Sequence, residues 1–124
     1  MREIPREEWA EFLDSFSRQH EGWLVTVEVL GADIGAQVEA EEKPLGGITA
    51  ELKEGGQRSI SITVGRTPEE HVTHNITSPT HVRLEQAESG ANMALQIESS
   101  DGATTLVRLR SAMLPEMVDG IVSE

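Results

Sequence analysis

The sequence predicts an α+β protein, mainly antiparallel β, with an N-terminal amphipathic helix packed on a strongly curved sheet or small barrel of seven to eight strands. Three observations carry that expectation. Apolar residues recur at helical spacing before His20, they alternate with a period of two from Trp23 to Arg110, and Ser100-Asp101-Gly102 separates two alternating runs tightly enough to close a hairpin. Met93 to Ser99 and Ala103 to Arg110 form its arms, and Gly102 accepts the left-handed backbone that such a turn demands.

The helix is expected over about residues 6–20, where Trp9, Phe12, Leu13 and Phe16 stand at i, i+3, i+4 and i+7 and make one face apolar. Pro5 suits the helix start, Glu7 and Glu8 complement the positive end of the dipole, Arg18 complements the negative end, and Gly22 supplies a C-terminal cap. Three of the four aromatic residues lie on this stripe. A helix this short needs packing to persist, so the stripe is expected to cover the sheet.

From Trp23 the period becomes two. Trp23, Val25, Val27 and Val29 share one face, and the pattern repeats in Ala36, Val38 and Ala40, in Ile48, Ala50 and Leu52, and in Ile60, Ile62 and Val64. Val72, His74 and Ile76 follow, then Val82 and Leu84, and finally the hairpin. Gly31, Gly46-Gly47, Gly55-Gly56, Pro68, Pro79 and Gly90 are expected in the connections. No Pro/Gly/Ser-rich linker interrupts the pattern, so residues 1–124 are expected to be a single domain. The segment 111–124 carries Met113, Leu114, Met117, Val118, Ile121 and Val122 and is expected to form a short helix from Pro115.

Composition narrows function. Twenty-two acidic residues against ten basic ones give a net charge of −12, which repels a phosphate backbone, and two Trp, two Phe and no Tyr offer few stacking platforms. No nucleic-acid partner is therefore expected. No stretch approaches the length of a membrane span and the N-terminus lacks the apolar core of a secretory signal, so no membrane partner is expected and the chain reads as cytoplasmic. The absence of cysteine removes disulfides, thiolate nucleophiles and cysteine-bound metals.

The densest chemical cluster is His71-Val72-Thr73-His74-Asn75, with His81 a few residues on. On a strand His71 and His74 point to opposite faces, which argues against a shared metal; no metal and no cofactor are expected. His74 shares the apolar face with Val72 and Ile76, which makes it the candidate acid–base group, with His71 beside it. Glu39 and Glu41 share a strand face that Glu51 joins from a neighbouring strand, so Glu39 and Glu51 are candidate carboxylate helpers. Trp9, Trp23 and His74 are the candidate contacts to a ligand or partner. The paired glycines lack the lysine and hydroxyl of a phosphate-binding loop and read as turns.

Several stretches are family-specific: Arg2-Glu3-Ile4-Pro5-Arg6-Glu7-Glu8-Trp9, Phe16-Ser17-Arg18-Gln19-His20 with Gly22-Trp23, His71-Val72-Thr73-His74, Leu95-Gln96-Ile97-Glu98-Ser99 with Asp101-Gly102, and Leu114-Pro115-Glu116. Through them the chain resembles, over nearly its full length, a bacterial uncharacterised family catalogued as domain of unknown function 5335. The resemblance implies one complete protein and brings no activity, cofactor or catalytic residue.

The functional expectation is a non-enzymatic cytoplasmic module that binds a small apolar ligand or a protein partner beside the helix. Two alternatives stand beside it: a small barrel enzyme using His74 for hydrolysis or proton transfer, and a structural homodimer closed by a sheet edge or by residues 115–124.

Overall fold

In the computed structural model, residues 1–31, 35–52, 58–65, 67 and 69–110 are described. Strand β1 (Arg2–Ile4) leads through a single 3-10 turn (Arg6–Glu8) into helix α1 (Trp9–His20), followed by β2 (Leu24–Gly31), β3 (Gly35–Leu52), β4 (Arg58–Val64), β5 (Val72–Thr77), β6 (Pro79–Gln86), β7 (Asn92–Ser99) and β8 (Thr104–Leu109). The eight strands form one antiparallel sheet in the order β1-β6-β7-β8-β2-β3-β4-β5. The α+β class and the predicted helix and hairpin are all present; Gly102 has φ of 91° in the β7–β8 turn, where Asp101 accepts the Ala103 N–H at 2.9 Å.

One connection joins strands far apart in the sheet. Ser78, with φ of 51°, is the single residue between β5 at one end of the sheet and β6 next to the other end. Its N–H reaches Arg58 O at 3.1 Å and its carbonyl accepts the Ser100 N–H at 3.0 Å. Strand ends thus meet at this corner, yet among the described residues β1 pairs only with β6 and β5 only with β4, so the closed form of the expected barrel is not made.

A second departure lies in β3. The alternation predicts separate strands around Ala36–Ala40 and Ile48–Leu52 with a turn at Gly46-Gly47, whereas one bent strand runs through both. Its first half pairs with β2 and its second with β4, an arrangement that lets one strand turn a corner through bulges. Glu42, at φ 49°, makes one irregularity. Gly46 makes the other: a Cβ there would stand 3.2 Å from the Thr63 carbonyl oxygen. The glycine serves close strand approach rather than a turn. The expected turn at Gly55-Gly56, Pro68 and the helix from Pro115 lie outside the described residues.

The core lies on the face of the sheet that α1 covers. Val25, Val27, Leu45, Ile48, Ile60, Ile62, Val82, Leu95, Ile97 and Val107 are essentially fully buried, and α1 lays Trp9, Leu13 and Phe16 into the same cluster. Ser17 pins the helix to β3: its hydroxyl accepts the Ile48 N–H at 2.7 Å and reaches the Leu13 and Ile48 carbonyls at 2.7 and 3.0 Å. Trp9 anchors the other end by donating its indole N–H to Ile4 O at 2.9 Å.

Candidate functional site

Between α1 and the β1–β6–β7 end of the sheet lies a cleft of about 280 Å³. One wall is Phe12, Ser15, Phe16 and Gln19, which recur at i, i+3, i+4 and i+7 and so form a second stripe on α1 beside the core stripe. The other wall comes from Arg2, Leu84, Gln86 and Asn92. On β6 the inward row runs Val82, Leu84, Gln86; it turns polar where the core ends, and that change creates the rim.

Alternation on β1 sorts its charges. Ile4 is buried, and Arg2, two residues away, has its guanidinium 5.8 Å from the centre of the Phe12 ring. Glu3 points the other way, where it takes a hydrogen bond from His81 Nδ1 at 2.6 Å and one from Arg83 Nε at 3.2 Å. His81 first and Arg83 second hold the Glu3 carboxyl below the usual carboxylate range. Arg83 also reaches Glu98 at 3.2 Å. The opposite face of the sheet therefore carries ion pairs across strands, while among the described residues Arg2 is the only charged side chain lining the cleft and pairs with no carboxylate.

Behind the rim sits His20, 5% exposed. Its ring lies 4.3 Å from that of Phe16 and meets Trp23 edge-on at 4.8 Å. Nδ1 stands 2.8 Å from Phe16 O, and since a carbonyl only accepts, Nδ1 carries the proton. Nε2 then accepts, and Asn92 Nδ2 faces it at 3.5 Å. Asn92 Oδ1 accepts from Gln86 Nε2 at 3.0 Å, which also donates to Gly90 O at 3.1 Å. This relay ties the orientation of two cleft amides to a buried histidine.

The predicted site residues are distributed over two regions. His74 is half-buried on β5 opposite Ile62 and shares a hollow of about 10 Å³ with Glu39, Ala40 and Val72, room for about one water. His71 is exposed just before β5, and Glu51 is exposed on β3 opposite Ser59; neither lines that hollow. Trp9 is buried against Ile4, and Trp23 is half-buried against His20. Among the described residues no group of three or more His, Asp or Glu side chains is placed to hold a metal ion. Sequence reasoning missed His20 and the cleft residues Arg2, Gln86 and Asn92. For His20 a signal existed: it follows Phe16 by four residues and extends the Trp9, Leu13, Phe16 stripe.

A model described as a family of unknown function (DUF5335) matches residues 1–117. The chain belongs to this family. A curated relative, an uncharacterized protein of Aquifex aeolicus (strain VF5), is 28% identical over 114 residues, which cover 91% of this chain and 96% of the relative. No solved structure matches the chain. The family match spans both walls of the cleft, from Arg2 to Asn92, and the His74 hollow as well. No helix among the described residues is long and apolar enough to cross a membrane.

Proposed function

We propose that this protein is a non-enzymatic cytoplasmic binding module whose helix–sheet cleft takes a small ligand bearing an anionic group. The observation that carries this reading is the cation of the cleft: in a chain of net charge −12, the described lining of this cleft holds Arg2 and no carboxylate. A guanidinium offers paired N–H donors to a carboxylate or similar oxyanion. Ser15, Gln19, Gln86 and Asn92 add neutral donors and acceptors, and Phe12 adds an apolar surface.

The ligand differs from the apolar one that strand alternation favours. Leu13, Ile48, Ile60, Leu95 and Ile97 occupy the space inside the sheet, so the recess falls at the seam, where polar residues begin. A strongly curved, barrel-like sheet is part of this reading, supported by the single-residue corner at Ser78. The acidic composition supports a partner that is not nucleic acid.

The test is a titration of ¹⁵N-labelled protein with a panel of small carboxylates, benzoate among them, and their matched amides. Saturable shifts at Arg2, Phe12, Gln86 and Asn92 with carboxylates, lost in Arg2→Gln, are expected. Shifts elsewhere, or equal response to the amides, would overturn the reading.

A second reading, an enzyme of hydrolysis or proton transfer, is favoured by the hollow that Glu39 and His74 share. Its test is a hydrolase screen on wild type and His74→Ala. An activity lost in a folded variant supports it, and an inactive wild type sinks it.

A further inference from the structure

The two amide side chains of the cleft, Gln86 and Asn92, stand opposite each other on β6 and β7, and two backbone carbonyls fix which way each one faces. The Phe16 carbonyl only accepts, so His20 is protonated at Nδ1 and accepts at Nε2, which calls for the Nδ2 end of Asn92. Asn92 Oδ1 is then turned to Gln86, whose Nε2 donates to it. The Gly90 carbonyl at the far end requires the same orientation, because it too takes a hydrogen bond from Gln86 Nε2. Reversing either amide would set donor against donor or acceptor against acceptor. The relay therefore has a polarity. Gln86 has both N–H groups engaged and presents Oε1, an acceptor, while Asn92 has one N–H left to give.

We infer that the cleft selects a small oxyanion that also carries a hydroxyl, with the anionic group on Arg2, the hydroxyl on Gln86 Oε1, and His20 as the positioning residue that holds both amides in this sense. This selectivity rests on the anion-binding reading of the cleft. A hydroxyl both donates and accepts, so it meets Gln86 Oε1 and the spare Asn92 N–H together. An ether only accepts, and an ammonium would enter beside a guanidinium in a lining whose described residues include no carboxylate. Spacing sets the size. Arg2 stands opposite Leu84, and Gln86 lies two residues further along β6, a diagonal offset of about 7–8 Å. One aromatic ring between the two groups bridges an offset of that order, and Phe12 supplies an apolar surface for it. At about 280 Å³ the cleft is small for a ligand site and suits one ring rather than a fused system.

The test is a titration of ¹⁵N-labelled protein with 4-hydroxybenzoate, 4-methoxybenzoate and benzoate. Wild type is expected to bind the hydroxyl compound about tenfold tighter than the methoxy one, and the ratio should fall toward one in Gln86→Leu, which has no acceptor. His20→Phe keeps a ring between Phe16 and Trp23 but offers Asn92 no acceptor, so it too should lower the ratio, an effect that packing alone does not produce. Should His20→Phe fail to fold, wild type decides: its long-range ¹H–¹⁵N spectrum at neutral pH must show His20 with its proton on Nδ1. A proton on Nε2 instead, equal affinity for the hydroxyl and methoxy compounds, or a ratio unchanged in Gln86→Leu or in folded His20→Phe would each overturn the inference. Carboxylate-dependent shifts at Arg2 would in those cases leave the anion site standing. No shift at Arg2 with any of the three compounds removes the anion site itself, and this selectivity with it.

Discussion

Two histidines mark the two ends of the sheet, and they are treated differently. His20 is packed between Phe16 and Trp23, with Nδ1 on a carbonyl and Nε2 toward an amide. His74 stands half-buried on a last strand that pairs, among the described residues, only with β4, beside a hollow the size of one water. At the first end α1 seals the core and leaves a polar cleft at its seam; at the second β5 has no further strand beside it among the described residues. An ionisable residue type thus says little by itself. Its element's position in the sheet decides whether it becomes part of the packing or part of the surface.

The largest way to break the contrast is to remove what seals the first end. Leu13→Ala, at a fully buried position, should cost about 2–5 kcal/mol in chemical denaturation, because it leaves a cavity between helix and sheet. The next sharpens the pair directly. His20→Ala should cost about 1–3 kcal/mol through lost ring contacts and the lost Nδ1–H bond to the Phe16 carbonyl, and should move the Gln86 and Asn92 side-chain amide resonances. His74→Ala should cost less than about 1 kcal/mol and leave those resonances in place. Equal costs would mean that the two ends are not distinct.

Ser17→Ala comes next, at about 1–2 kcal/mol, because the Ile48 N–H loses its acceptor where α1 meets β3. Smallest is a pH effect. Hydrogen bonds from His81 and Arg83 hold Glu3 low, and the Ser99 hydroxyl and Ala103 N–H do the same for Asp101. A carboxyl that ionises more readily in the folded chain adds stability above its unfolded value and loses it as pH falls through the folded one. Glu3→Gln should therefore flatten the acid limb by lowering stability slightly at neutral pH and leaving it unchanged at low pH, as acid-dependent thermal melts would show.

Much of this was legible in the residues. The helix showed itself through Trp9, Phe12, Leu13 and Phe16, and the β7–β8 hairpin through Asp101-Gly102, because each signal is local and repeats with the period of its element. Gly46 misled: a glycine reads as a turn unless the neighbouring strand that crowds it is known, and Thr63 lies seventeen positions downstream. The cleft was illegible for a related reason. Arg2 and Phe12 are near in sequence, but Gln86 and Asn92 reach them only through the β1–β6 and β6–β7 pairings.

The amino-acid sequence alone determined the class, the helix, the alternating strands and an acidic surface, since periodicity and charge are properties of short windows. Tertiary structure decided which strands became edges, where the inward rows stopped being apolar, and which histidine was enclosed. Those outcomes depend on contacts between residues far apart in the chain, whose loop-closure cost is met only when the whole sheet forms.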